Sequence, residues 1–169
     1  MDMSDYCVVV VDSTRARLFT LEAARVPEVE SGPKLTEQKD LVNPERGMQD
    51  RDVPADTRSG VNRAPQGGSG QSYDDHRMQH EHEFDRRFAK TVVAEVLSLV
   101  KSARARFLVL AAEPQMLALM RKESGDLSKS GIEVREAATN LTKFPVQEIQ
   151  AHLAKQKLVP ECKRPAAVR

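Results

Sequence analysis

Cysteine is nearly absent from this sequence. Cys7 and Cys162 are the two, near opposite ends of 169 residues. Two thiols supply neither a disulfide framework nor a four-cysteine zinc site, so a reducing, cytoplasmic setting is expected. Long hydrophobic runs are missing as well. None approaches the roughly 18–20 apolar residues that cross a bilayer, and no membrane partner is expected. The first residues, Met1-Asp2-Met3-Ser4-Asp5, are acidic and do not resemble a secretory leader. Neither charge sign dominates: 26 Lys and Arg face 25 Asp and Glu, for a net charge of +1. That excludes a free-standing basic arm, so any phosphate contact must come from a local patch. There is no P-loop, no dinucleotide fingerprint and no G-x-S-x-G elbow, so no nucleotide cofactor and no serine nucleophile is expected.

What remains is a chain 40% apolar and 30% charged, the size of one domain. Tyr6 to Val11 is a continuous β-branched run and reads as a strand buried on both faces. Asp12-Ser13-Thr14 breaks it, and Ala16 to Glu22 follows, so the two form a hairpin. Pro27 to Lys34 is a loop, and Leu35 to Val42 reads as a third, more exposed strand. His76 to about Ser102 is the longest helix, with Phe84, Phe88, Val92 and Val96 repeating at i+4. Phe107 to Ala111 is a second buried strand. Proline 114 starts a helix that runs to about Glu123. Ile132 to Ala137 is a fifth strand, and Pro145 to Gln156 a last helix.

The order β-β-β-α-β-α-β-α predicts an α/β fold. It is a ribonuclease-H-like mixed five-stranded sheet in the order 3-2-1-4-5, with helices on its faces. One domain is expected over 1–158, followed by a flexible tail at 159–169.

Residues 43–75 stand apart. They hold Pro44, Gly47, Pro54, Gly60, Pro65, Gly67, Gly68 and Gly70 and almost no large apolar side chain, so they read as a long functional loop or a passive insertion. Up to Asp75 their cations are all arginine, the side chain that forks onto phosphate. Arg46, Arg51, Arg58 and Arg63, with Arg77 just beyond, are the candidate phosphate contacts.

Several segments resemble one bacterial family, the host attachment proteins: Val8 to Leu21 (VVVVDSTRARLFTL), Arg86 to Val96 (RRFAKTVVAEV), Arg106 to Lys122 (RFLVLAAEPQMLALMRK) and Asn140 to Leu153 (NLTKFPVQEIQAHL). That family in turn resembles the middle domain of archaeal and eukaryotic class-1 peptide release factors, which implies the same sheet and a ribosome-associated role. Release factors carry a Gly-Gly-Gln tip before a long helix. Here Gly67, Gly68, Ser69, Gly70 and Gln71 precede the long helix, with Ser69 interrupting the tripeptide. Glycines allow close backbone approach, and a glutamine on such a tip can face a developing oxyanion or orient a water. An ordinary polar linker has the same composition.

Three further arrangements have both a chemical and a plain reading. Asp12 and Glu113 follow neighbouring strands, where carboxylates of ribonuclease-H-like nucleases hold Mg2+, with Asp85 or Glu81 as a third ligand. Equally, Asp12 starts a turn and Glu113 complements a helix dipole. No third strong carboxylate is evident, so no tight metal site is expected. His76 and His80 at i, i+4 have zinc spacing or form a solvated helix start. Arg15, Arg17, Arg104 and Arg106 read as a basic edge toward RNA or as ordinary surface charges.

The resulting expectation is a non-enzymatic cytoplasmic factor that binds the ribosome or structured RNA through 43–75. The alternatives are a divergent hydrolase, acting through Gln71 as a peptidyl-tRNA esterase or through Asp12 and Glu113 as a nuclease, and an interaction protein that affects host-cell attachment indirectly. Nothing in the sequence sets the oligomeric state.

Overall fold

The computed structural model describes residues 4–46, 69–125, 127 and 131–166. Eight elements follow one another: β1 (Tyr6–Val11), β2 (Arg15–Glu22), β3 (Lys34–Val42), α1 (Ser69–Ala103), β4 (Phe107–Ala111), α2 (Pro114–Glu123), β5 (Glu133–Ala137) and α3 (Val146–Lys155). The strands form one sheet in the order β3-β2-β1-β4-β5. β1 pairs antiparallel with β2 and β2 with β3, whereas β1–β4 and β4–β5 are parallel. This is the mixed sheet that the run order predicts.

β1 is central, and its period-2 alternation feeds two cores. Cys7, Val9 and Val11 face one side, where Phe88, Val92 and Val96 of α1 and Leu117 and Met120 of α2 cover them. Val8 and Val10 face the other side, against Ile149 and Leu153 of α3. A strand buried on both faces has no polar position to offer, which is why β1 reads YCVVVV.

α1 is the outlier in length. It has 35 residues, while β4 has five. At about 1.5 Å per helical residue and 3.3 Å per strand residue, the helix is about 52 Å long and the strand about 17 Å. β3 runs parallel to β1 and β4, so α1 begins at the carboxyl end of these strands and runs back against them. Among the described side chains of α1 the first buried one is Phe88: from 79 to 87 none is buried. The amino-terminal half therefore overhangs the carboxyl end of the sheet.

The structure changes two expectations. α1 starts at Ser69 rather than at His76, so Gly70 and Gln71 lie in its first turn instead of on a loop. One glycine costs a helix about 1 kcal/mol, and beyond Gly70 neither glycine nor proline occurs before Pro114 to stop the helix extending back. The chain after α3 is tied down through residue 166 rather than loose. Val159 is buried, Gly32 and Lys163 exchange backbone hydrogen bonds at 3.0 and 2.9 Å, and the Ala166 N–H donates to the Pro27 carbonyl at 3.0 Å. Within the β2–β3 connection itself, position 32 packs tightly on Ala24: a Cβ there would stand 2.8 Å from it.

Candidate functional site

The carboxyl ends of β1 and β4 are where open α/β sheets place ligands, and Asp12 ends β1 there. Its Oδ1 accepts hydrogen bonds from the Thr14 N–H, the Thr14 hydroxyl and the Arg15 N–H, each at 2.8 Å. Its Oδ2 accepts from the Thr142 hydroxyl at 2.6 Å and from Asn140 Nδ2 at 3.5 Å. Asn140 closes a local turn as its Oδ1 accepts the Thr142 N–H at 3.1 Å. Burial alone would raise the Asp12 carboxyl, but the Thr142 and Thr14 hydroxyls and the two backbone donors outweigh it and hold it below its ordinary range. Both oxygens are thus occupied by donors from the chain. Asp12 is wired as a clamp between the hairpin turn and the loop before α3.

Arg17 makes a second clamp between the same parts. It lies in β2 and is 8% exposed. Its Nε donates to Glu37 Oε1 at 2.8 Å, and its Nη1 reaches the carbonyls of Thr142 at 3.1 Å and Phe144 at 2.7 Å. The guanidinium also sits 5.2 Å from the Phe19 ring centre. The sequence leaves Arg17 either on a basic edge or as an ordinary surface charge. The fold instead spends its charge inward, because the alternation of β2 turns it to the face of Phe19 and Leu21. Two others of that group are neutralised as well, as Arg15 pairs with Asp40 and Arg106 with Asp5.

The third cluster lies at the root of the α1 overhang. Asn43 leaves β3 with its N–H on the Thr14 carbonyl and its Nδ2 on the Ser13 carbonyl. A helical turn at 44–46 follows. Arg46 then pairs with Asp85 at 3.2 Å and Glu81 at 3.5 Å, and Arg87 pairs with Glu45 at 3.2 Å and Glu83 at 3.4 Å. Three ion pairs, through Glu45, Glu81 and Asp85, bind the 44–46 turn to the middle of α1, and Glu83 supports Arg87 from within the helix.

The residues singled out in the sequence are therefore dispersed. Arg46 is in the ionic root. Gly70, Gln71 and Arg77 are on α1. Arg51, Arg58, Arg63, Gly67 and Gly68 lie outside the described residues. Asp12 makes its contacts with Thr14, Arg15, Asn140 and Thr142, while Asp85 and Glu81, the proposed third metal ligands, are taken up by Arg46. Among the described residues no three His, Cys, Asp or Glu side chains are grouped to hold a metal ion. Sequence reasoning missed Asn140 and Thr142. Their partner lies 130 positions away from Thr142, and no periodicity links the two.

A sequence profile for the family described as "Protein required for attachment to host cells" matches residues 7–153. The chain belongs to this family. The matched region runs from β1 into α3 and includes both clamps and the ionic root. No match was found among curated proteins. Among the described residues no helix is long and apolar enough to cross a membrane.

Proposed function

We propose that this host-attachment family member is a non-catalytic, cytoplasmic binding protein. Its clamped sheet is a platform, and its overhanging end engages the phosphates of structured RNA, such as that of the ribosome. The observation that carries this reading is the length mismatch of α1. A helix of about 52 Å against strands of about 17–30 Å is not explained by core building, since no residue from 79 to 87 is buried. A projecting helix braced at its root by fixed ion pairs is a reaching device. The arginine content of 43–75 and the resemblance to release factors give the reach a partner. An effect on attachment to host cells is then indirect, through gene expression.

Ribosome co-sedimentation across a salt series tests the reading. Each neutralised phosphate contributes about 0.7–0.9 to the log–log slope. Replacing Arg51, Arg58 and Arg63 by glutamine should flatten that slope by two to three such increments and leave the fold intact. Gln71→Ala should leave binding unchanged. Loss of peptidyl-tRNA turnover in Gln71→Ala would instead favour the esterase reading. Association that ignores both salt and the arginines would leave a protein partner as the explanation.

A further inference from the structure

The other side of the molecule carries a groove that neither the RNA reading nor the family description uses. Along α3, Gln147, Gln150, Ala151, Ala154 and Lys155 recur at i, i+3, i+4, i+7 and i+8, so they share one face. Ile149 and Leu153 hold the helix to the sheet. The face with the alanines instead forms one wall of a groove of about 610 Å3, whose second wall is the start of β3 and which Glu161 and Cys162 also line.

The groove is built, not accidental. Gln150 is 4% exposed, and every polar atom of its amide is used. Its Oε1 accepts the Leu35 N–H at 3.1 Å, and its Nε2 donates to the Pro33 carbonyl at 2.8 Å and the Pro160 carbonyl at 3.2 Å. A single side chain thus ties helix, strand and tail. Ala151 and Ala154 leave the space that longer residues would fill. The volume falls within the roughly 300–1,000 Å3 of pre-formed small-molecule sites, which are mostly apolar with a few polar groups to orient the ligand.

Charge decides the ligand class. Glu37 lines the groove but is committed to Arg17. Lys34 and Lys155 line it too and have no carboxylate partner among the described residues, leaving two cations against the one free carboxylate of Glu161. A strand of another chain is the wrong occupant. The outward Leu35 N–H is already satisfied by Gln150, the β2–β3 register shifts between Leu18 and Phe19, and Glu37, Lys39 and Asp40 put charge along the edge.

We propose that this groove binds a small amphipathic organic acid. The aliphatic body lies on Leu35, Val146, Ala151 and Ala154, and the carboxylate is held by Lys34 and Lys155.

Calorimetric titration of the full chain with decanoate, and with decanol as its uncharged counterpart, tests this. Saturable decanoate binding is expected, with decanol weaker. Lys34→Gln together with Lys155→Gln should weaken decanoate about fivefold to tenfold and leave decanol unchanged. Ala151 is exposed and Ala154 only partly buried at the edge of the second core, and leucine is a strong helix former, so with Ala151→Leu and Ala154→Leu the melting transition should survive while binding of both ligands is lost. Absence of decanoate binding overturns the proposal. So does decanol binding as tight as decanoate, or indifference to the leucine pair in a protein that still melts cooperatively.

Discussion

At the scale of single residues, the two cysteines give the plainest contrast. Cys7 is sealed between β2 and β4, and burial pushes its thiol up to about 12. Cys162 is exposed. Only the thiolate reacts, so a chromogenic disulfide reagent should titrate one thiol per native chain and two after denaturation. Fast reaction of both in the native state would show that β1 is not central. Asp12 makes a second residue-level prediction. Asp12→Ala removes a charged acceptor from five hydrogen bonds, and partial access of water limits the cost to about 2 kcal/mol. Because the folded carboxyl is held below its ordinary value of 3.8, its contribution is fully present above that value and fades as pH falls through the lower, folded one. Urea midpoints of the native chain and the variant should differ at pH 7 and converge in strong acid. A constant gap would mean that the loss is one of packing rather than charge.

At the scale of elements, α1 consists of two halves with different duties. Phe88 is 4% exposed and bears on the sheet, so Phe88→Ala should cost about 3–5 kcal/mol in chemical denaturation. His82 is exposed on the overhang, and His82→Ala should fall within about 0.5 kcal/mol of the parent. Equal effects at the two positions would mean that the first half is also packed. The apolar stripe was legible in the sequence because it repeats at helical spacing, and β1 and β4 were legible because double burial leaves no polar residue. The beginning of α1 was not legible. From 69 to 75 the residues are polar, and only the absence of a stop signal beyond Gly70 lets the helix extend. The clamps were hidden for another reason. An inward-facing arginine such as Arg17 has the same local sequence as an outward one, and its neighbours Thr142 and Phe144 arrive from the far end of the chain.

For the whole molecule, the closing tail matters. The described residues after α3 add no α-helix and no sheet strand, yet they cover the second core with Val159 and latch onto the loop at Gly32. Truncation after Leu158 should therefore lower unfolding free energy by about 2–3 kcal/mol, through lost apolar burial and the backbone pair. A truncated chain as stable as the full one would make the tail a passenger. The same deletion removes Glu161 and Cys162 from the groove, so it separates the molecule's two ends: the acid site should suffer and the α1 end should not.

The ion pairs of Arg46 and Arg87 grip α1 near its middle, between Glu81 and Arg87, and the core grips it from Phe88 onward. The stretch from Ser69 to Glu81 extends the helix about 18 Å beyond that grip. A tilt of about 5° at the grip moves the Ser69 end by about 1.6 Å, half a hydrogen-bond length. Mechanical advantage works in both directions. A load on the tip of this rod is delivered as torque to a salt-bridged fulcrum whose stiffness falls as ionic strength rises.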